Sequence, residues 1–444
     1  MSLKDKLRKI YPAASPSQNA KRRREAVSDL RDRLDKLLGK KYKEGSGSTS
    51  STIRTRTADD RPHIGLEEVK GGRFCETPFG KAFMTEYVFP GGFVHGRLPL
   101  EEFKNQDFSY LSVIDSKEDL KGLKPDQTVF LDVETTGLSG GTGCYAFLIG
   151  VGYFQGTKFF IRQFFMDDFS QEPAMMFLFT RFLEPFQYLI TFNGRSFDVN
   201  LLETRLTINR MECQLTSIPH LDMVYPARRM WKERTGSCSL GTLEQRICSF
   251  YRTDDISGQE VPELYFQYLR HRDANIIRPV FDHNALDILS TVVLTTRLLQ
   301  FLGQRKACDN VYASDLYSLG RLFAEHGSLS YSIECLETVL EDDTNSYEIR
   351  LKSARLLSLI YKRMNRWEDA CALWSMMIHE FDDRDPFPFE QLAKYYEHRT
   401  KDLEKAFAIV EKALSQIQPW EVEVKERLLY RRDRILRKMK RLSR

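Results

Sequence analysis

Three short acidic motifs stand in order along one stretch of this chain. They are Asp132-Val133-Glu134 in TVFLDVETTGL, Asn193-Gly194-Arg195-Ser196-Phe197-Asp198, and His283-Asn284-Ala285-Leu286-Asp287. Residues 127–133 read QTVFLDV, apolar and β-branched, a strand that ends in the first motif. Alternate residues of a strand share a face, so Asp132 and Glu134 can grip one ion together. Residues 276–301 read as a long amphipathic helix after Pro279. On a helix i and i+4 share a face, which brings His283 to Asp287. Asp198 follows an apolar strand, YLITF at 188–192, and an Asn193-Gly194 turn, so it opens a new helix beside a strand end. Each motif alone is ordinary surface or turn sequence; their order and co-occurrence carry the chemistry. Four carboxylates and one imidazole are what is needed to hold two divalent ions and activate a water for phosphodiester hydrolysis. The set is almost all oxygen, which suits Mg²⁺ or Mn²⁺.

These motifs resemble those of the DEDD exonucleases of the ribonuclease H-like superfamily, over about residues 126–302. The stretches HLDMVYPARRMW, CSLGTLEQRI and DDISGQEVPELYFQYL narrow the resemblance to the YprB-type bacterial exonucleases, a group that includes the mitomycin repair exonuclease of bacilli. The resemblance implies a metal-dependent 3′→5′ exonuclease that releases mononucleotide 5′-phosphates from DNA, in DNA repair and beside a helicase. It implies that Asp132, Glu134 and Asp287 hold the first of two divalent ions, that Asp132 bridges to the second with Asp198, and that His283 is the general base. An imidazole near its ordinary pKa suits that task at neutral pH. It also implies that Thr135 and Leu138 touch the terminal nucleotide. One spacing departs from the pattern: three residues separate His283 from Asp287, as in the tyrosine branch, where the histidine branch has four. Three intervening residues leave the pair about 40° apart around a helix, and four about 140°. His283 therefore combines the tyrosine branch's position with the histidine branch's chemistry.

Charge is unevenly spread. Residues 1–60 carry a net +8 and residues 421–444 a net +6, which leaves −10 for the stretch that holds the acidic motifs. Basic arms around an acidic body suit a polyanionic substrate, and serve equally as solubilising ends. Arg228, Arg229, Lys232 and Arg234 surround Met230 and Trp231. Cations interleaved with an aromatic can hold a phosphate backbone and stack a base, so Arg229 and Trp231 count as candidate substrate contacts beside Asn193; the alternative is a solvated helix face with Trp231 packed inward. Asp222 reads as structural. The eight cysteines lack Cys-x-x-Cys spacing and cluster with no histidines, which argues against a zinc site or disulfide frame. No run approaches the length of a membrane helix, the most apolar being YAFLIGVGYF, and the N-terminus has no signal-peptide core. A cytoplasmic enzyme with no membrane contact is expected.

The expected organisation is an α/β ribonuclease H-like domain followed by an all-α tetratricopeptide-like repeat domain. Residues 1–60 form a basic, largely flexible start with one candidate helix at 24–43 and a GSGSTSST linker. Residues 61–125 form a small β-rich segment packed on the nuclease. Residues 126–303 form the nuclease, with a strand meander at about 127–134, 145–154 and 157–165. The loop SGGTG at 139–143 lacks the terminus of a phosphate-binding loop and reads as a hairpin turn. Residues 308–444 hold the repeats: Gly320, Ser332, Leu336 and Val339 in the first, Leu357, Tyr361, Ala370, Trp374 and Met377 in the second, Ala406, Val410 and Ala413 in the third. Ser332, Ala370 and Ala406 lie 38 and 36 residues apart, near the roughly 34 of a tetratricopeptide repeat. Such arrays present a concave face to partner chains. The competing functional readings are a non-catalytic adaptor that binds nucleic-acid ends, a ribonuclease, and a structure-specific endonuclease.

Overall fold

The computed structural model describes residues 63–115, 119–137, 143–213, 215–303, 311–381, 385–416 and 422–442. The expected helix at 24–43, the linker, Leu138 and the loop at 139–142 lie outside the described residues. Nine strands are described: β1 (Arg73–Thr77), β2 (Gly80–Phe89), β3 (Val94–His95), β4 (Leu98–Pro99), β5 (Thr128–Thr135), β6 (Ala146–Gln155), β7 (Lys158–Phe165), β8 (Tyr188–Thr191) and β9 (His220–Asp222). Seven of them form one mixed sheet in the order β1-β2-β7-β6-β5-β8-β9, and β3 pairs with β4 apart from it. β5, β6 and β7 are an antiparallel meander; β8 runs parallel to β5, and β9 parallel to β8. β1 and β2, from the segment read as 61–125, extend the same sheet along the free side of β7.

The helices of this domain are α1 (Leu111–Ile114), α2 (Glu172–Leu183), α3 (Asp198–Ile208), α4 (Val224–Thr235), α5 (Leu240–Leu243), α6 (Val261–His271) and α7 (Ala274–Gly303). The alternation of β5 sorts its side chains between two cores. Val129, Leu131 and Val133 join the cluster that holds α2, whereas Phe130 joins the cluster built on the C-terminal half of α7. Asp132 and Glu134 share the phase of Phe130 and so look toward α7. That helix can come close because β6 opposes it with glycine. A Cβ on Gly150 would lie 1.9 Å from Asn284 Oδ1, and one on Gly152 2.5 Å from Ile288 Cγ2. The length and apolar content of α7 alone would let it cross a membrane, which corrects the expectation that no run is long enough; most of its apolar stretch is buried inside the protein. Pro279 sits within the helix and not ahead of it. It falls in the second turn, where the missing N–H forfeits a single intrahelical bond.

A helix-rich C-terminal region follows: α8 (Ala313–Glu325), α9 (Leu329–Glu341), α10 (Tyr347–Arg363), α11 (Trp367–Glu380), α12 (Pro386–Tyr395), α13 (Leu403–Gln416) and α14 (Val422–Leu442). Each packs on its neighbour in sequence, and α8 also packs on α4. Ser332, Ala370 and Ala406 are fully buried where helices meet. The Ser332 hydroxyl donates to the Gly320 carbonyl at 2.6 Å, and a side chain on Gly320 would strike Leu336.

The α4–α8 seam engages two of the four cations of the basic cluster, Arg229 and Arg234, and leaves Arg228 and Lys232 exposed. Arg234 pairs with the fully buried Asp315 at 2.7 Å and lies over the Tyr312 ring. Arg229 donates to the Ile114 carbonyl and pairs with Glu325, and Lys352 pairs with Glu233. Within the sheet domain, Arg205 on α3 donates both its Nε and Nη2 to Glu172 on α2, with side chains 3% and 6% exposed, and stacks over Tyr145. Removing one partner of such a pair strands a buried charge. Glu172→Ala should therefore lower the unfolding free energy by about 3–5 kcal/mol, read from urea denaturation, and a loss below 1 kcal/mol would mean that Arg205 reaches water.

Candidate metal centre

The three motifs meet at one end of the sheet. Asp132 and Glu134 close β5, Asp198 opens α3 after β8, and His283 and Asp287 lie on α7. The turn before Asp198 is built by Asp222, whose carboxylate accepts from the backbone N–H of Asn193 (2.6 Å), Arg195 (3.0 Å) and Val224 (3.2 Å). Asn193 adopts a left-handed φ of 67°, a conformation asparagine tolerates, and a Cβ on Gly194 would strike Thr191 at 2.7 Å. The Asn-Gly pair is thus fixed by backbone geometry, and Asp222 acts as the turn's anchor.

Asp132 is held by a buried relay. Asn284 Nδ2 donates to Asp132 Oδ2 at 2.8 Å, Gln163 Nε2 donates to Asn284 Oδ1 at 2.8 Å, and the Thr85 hydroxyl donates to Gln163 Oε1 at 2.9 Å. The relay crosses from β2 through β7 to α7 and β5. On the other flank Arg252 pairs with Glu244, Asp255 and Asp287. Glu244 begins a π-helical turn, Glu244–Cys248, and is fully buried; it also accepts from the Ser290 hydroxyl, which in turn accepts from His95 Nε2 at 2.8 Å. Turns of this kind recur at functional sites. Burial opposes the Arg252 charge, but Asp287 and Glu244 outweigh it and raise its pKa. His283 Nδ1–H donates to Asp255 at 2.9 Å, which leaves Nε2 as the nitrogen with the free lone pair.

The carboxylates repel one another. Burial, then Asp287, Glu134 and Asp198, push the Asp132 pKa well above the ordinary carboxylate range. Burial, then Asp287 and Asp198, do the same to Glu134. Asp198 is pushed up to about 7 by burial, Asp222 and Asp287. Burial alone would lower the His283 pKa; the Asp255 hydrogen bond and the Asp287 charge outweigh it and leave it raised. An all-oxygen set whose members resist ionising together is complementary to a divalent cation, which relieves that repulsion. Among the described residues no three His, Cys, Asp or Glu side chains stand close enough together to hold an ion as they are oriented here. The orientation has a physical reason: Asp287 is turned to Arg252 and Asp132 to Asn284.

The expected substrate contacts fare differently. Thr135 closes β5 beside Glu134, its hydroxyl donating to the Gly137 carbonyl at 2.8 Å. Asn193 is half-buried in its turn, and Leu138 is outside the described residues. Trp231 is fully buried, so its ring offers no face to a base. Arg229 is spent on Ile114 and on Glu325 of α8. Trp231 is a correction, since the aromatic of the run is packed inward. Arg252, Glu244, Asp255, Asn284 and Gln163 were not singled out from sequence. Asn284, Asp255 and Glu244 lay inside quoted stretches, but nothing local announces the Asp255 bond to His283, 28 positions away, or the Asn284 bonds to Gln163 and Asp132, 121 and 152 positions away.

A family model for the RNase_H superfamily matches residues 129–299, the span from β5 to α7. The domain is therefore a ribonuclease H-like one, of a superfamily whose members are usually nucleases that use divalent ions. The chain belongs to the family of the uncharacterized protein YprB of Bacillus subtilis (strain 168), to which it is 31% identical over 323 residues, 72% of this chain and 76% of that protein. The solved family B DNA polymerase from the hyperthermophilic archaeon Pyrobaculum calidifontis aligns at a TM-score of 0.34 and 15% identity, over 46% of this chain and 30% of the polymerase chain, a likeness too distant to carry function.

Burial of Asp198, with the repulsion of Asp222 and Asp287, predicts a pH-dependent instability. A carboxyl whose folded pKa is raised favours folding while protonated, and the cost of its ionisation grows as pH rises from the unfolded value to about 7. In EDTA at pH 8, Asp198→Asn should melt above the wild type, by about 2–4 °C for each kcal/mol of repulsion relieved, with the gap closing toward pH 4. Mn²⁺ should raise the melting temperature of the wild type more than that of the variant. Equal responses to Mn²⁺ would remove Asp198 from the ion site.

Proposed function

We propose that this protein is a metal-dependent 3′→5′ exonuclease of the DEDD type that hydrolyses DNA to mononucleotide 5′-phosphates. The observation that carries this reading is the crowding of Asp132, Glu134, Asp198 and Asp287, with a histidine beside them whose Nδ1 is held by Asp255. Asp132, Glu134 and Asp287 would hold one divalent ion, and Asp198 with Asp132 a second. Bound there, two such ions neutralise charge developing on the scissile phosphate and its leaving oxygen. His283 Nε2 takes the proton of the attacking water, while Asp255 keeps the ring in the tautomer that can do so. Arg252 balances Glu244, Asp255 and Asp287, so that the site folds before an ion enters. The polarity and the preference for DNA over RNA rest on the family resemblance, as does a role in repair beside a helicase. The helix pairs after residue 311 support a tetratricopeptide-like array.

Digestion of 5′-labelled linear DNA with Mn²⁺ or Mg²⁺ tests this. A ladder of shortening products is expected, absent in EDTA and in Asp287→Ala, with closed circles left intact. His283→Ala should lower kcat by about 10²–10⁴-fold. Cleaved circles would mean an endonuclease, and faster loss of matched RNA a ribonuclease. Inertness toward single-stranded, duplex, nicked and RNA substrates would leave the end-binding adaptor.

Asp255 carries its own prediction. Asp255→Asn should lower kcat by about 10–100-fold with KM little changed, as for groups that orient a reacting residue. Removing the carboxylate that raises the His283 pKa should also move the rising limb of the pH–rate profile to lower pH. An unmoved limb would mean that His283 does not set it.

A further inference from the structure

A cavity of about 330 Å³ opens in the C-terminal region, between α10, α11, α12 and α14, away from the carboxylate site. Its lining is built of donors: Lys362, Lys394, Arg399, Arg431 and Arg434 border it, and among the described residues that line it there is no carboxylate. Arg431, Arg434 and Lys438 share one acid, Glu397, whose side chain is fully buried behind them. Among the described residues the partner of Lys362 is the neutral Gln391 amide, at 2.9 Å, and burial and then Lys394 lower its pKa. Arg399 lies over the Trp367 ring at 4.6 Å, and Trp367 stacks on Tyr395 with centroids 5.7 Å apart. Trp374 is fully buried and borders the cavity, yet its indole N–H has no acceptor in the protein. An indole nitrogen can only donate, and a buried donor left unpaired is costly. Of the cations that border this space, Arg431 and Arg434 share Glu397 and Lys394 pairs with Glu390 at 3.6 Å, while Arg399 and Lys362 face it with no carboxylate among their described partners. The volume lies at the small end of the roughly 300–1,000 Å³ usual for ligand pockets.

We propose that this cavity is a second nucleic-acid site, which takes a phosphate of a single strand among Arg399, Lys394 and Lys362 and a base against the Trp367–Tyr395 pair. Cations that track a backbone and aromatics that stack bases are the two elements of sequence-tolerant single-strand binding. The adjoining α14 continues the charge at Arg437, whose described partner is the Asp433 carbonyl, whereas Arg427 pairs with Glu390 and Arg432 with Asp433; a cation beyond the cavity suits an extended polyanion better than one isolated anion. The choice of a nucleic-acid strand rests on the nuclease reading above. The test measures binding without cleavage, so either can fail alone.

The experiment is fluorescence anisotropy of a labelled single-stranded DNA oligomer with the full chain carrying Asp287→Ala, in EDTA, across a salt series. Lys394→Gln/Arg399→Gln changes charge at surface positions and should weaken binding at least fivefold. The slope of log affinity against log salt should fall by about 1.4, the value for two lost phosphate contacts on a single strand. Arg399→Glu, with folding checked by its melting curve, should weaken binding further. Unchanged affinity and slope in both variants would overturn the proposal. So would a loss of poly-glutamate or anionic-vesicle binding in the double variant with DNA binding intact, which would assign the cavity to an acidic peptide or a membrane surface.

Discussion

The close approach of α7 to β6 is the constraint on which the site depends. Two glycines, Gly150 and Gly152, remove the side chains that would hold the helix off the sheet. Gly150 stands opposite Asp132 in the β5–β6 register, so the space it leaves is filled by Asn284, and Asn284 then binds Asp132. The same approach sets His283 and Asp287 one helical turn apart over the end of β5. A methyl group at position 150 would disturb core packing, the relay to Thr85 and the spacing of the acidic motifs together. Stability and site geometry are in this sense one interaction.

The site stores repulsion and balances it with fixed cations. Burial and the Asp287 charge raise the pKa values of Asp132, Glu134 and Asp198 alike, Asp198 adds to those of Asp132 and Glu134, and Arg252 pairs with Asp287 and Asp255 against that cost. Arg252 is itself braced by Glu244, and Glu244 by Ser290 on α7. An arginine engaged with Asp287 also competes for that carboxylate with any ion that needs it, so occupancy requires some rearrangement of the Arg252–Asp287 pair. The same guanidinium also reaches Asp255 at 2.8 Å and His283 Nδ1 at 3.3 Å, so the bond that orients the imidazole is tied to the arginine that must move.

How much of this was legible follows from the range of each signal. Asp132 with Glu134, and His283 with Asp287, could be read because periods of two and four are local. The β5–β7 meander and β8 could be read because alternation and turn residues mark them. Asp255, Arg252 and Gln163 could not, since their meaning is a partner 28 to 121 residues away. Gly150 and Gly152 read as part of an apolar strand, and only the helix opposite gives them a reason. Leucine- and valine-rich α7 could not be told from a membrane segment by composition alone; its burial decides it.

The misreading of Trp231 has the same physical root and bears on where a polyanion could lie. A basic–aromatic run on an amphipathic helix fits a nucleic-acid face or a packed seam equally well, and a second helix must be known before one can choose. Here α8 brings Asp315 and Glu325, and these carboxylates neutralise Arg234 and Arg229. The seam thus joins the sheet domain to the helical region through charges that a substrate would otherwise compete for. Around Arg399 and Lys362 the pattern is similar in sequence, yet the neighbouring helices bring an amide and aromatic rings where α8 brings acids. Cations left without an acid are the ones available to phosphate: Arg399 and Lys362 in the C-terminal region, and on α4 the exposed Arg228 and Lys232, which the seam does not engage.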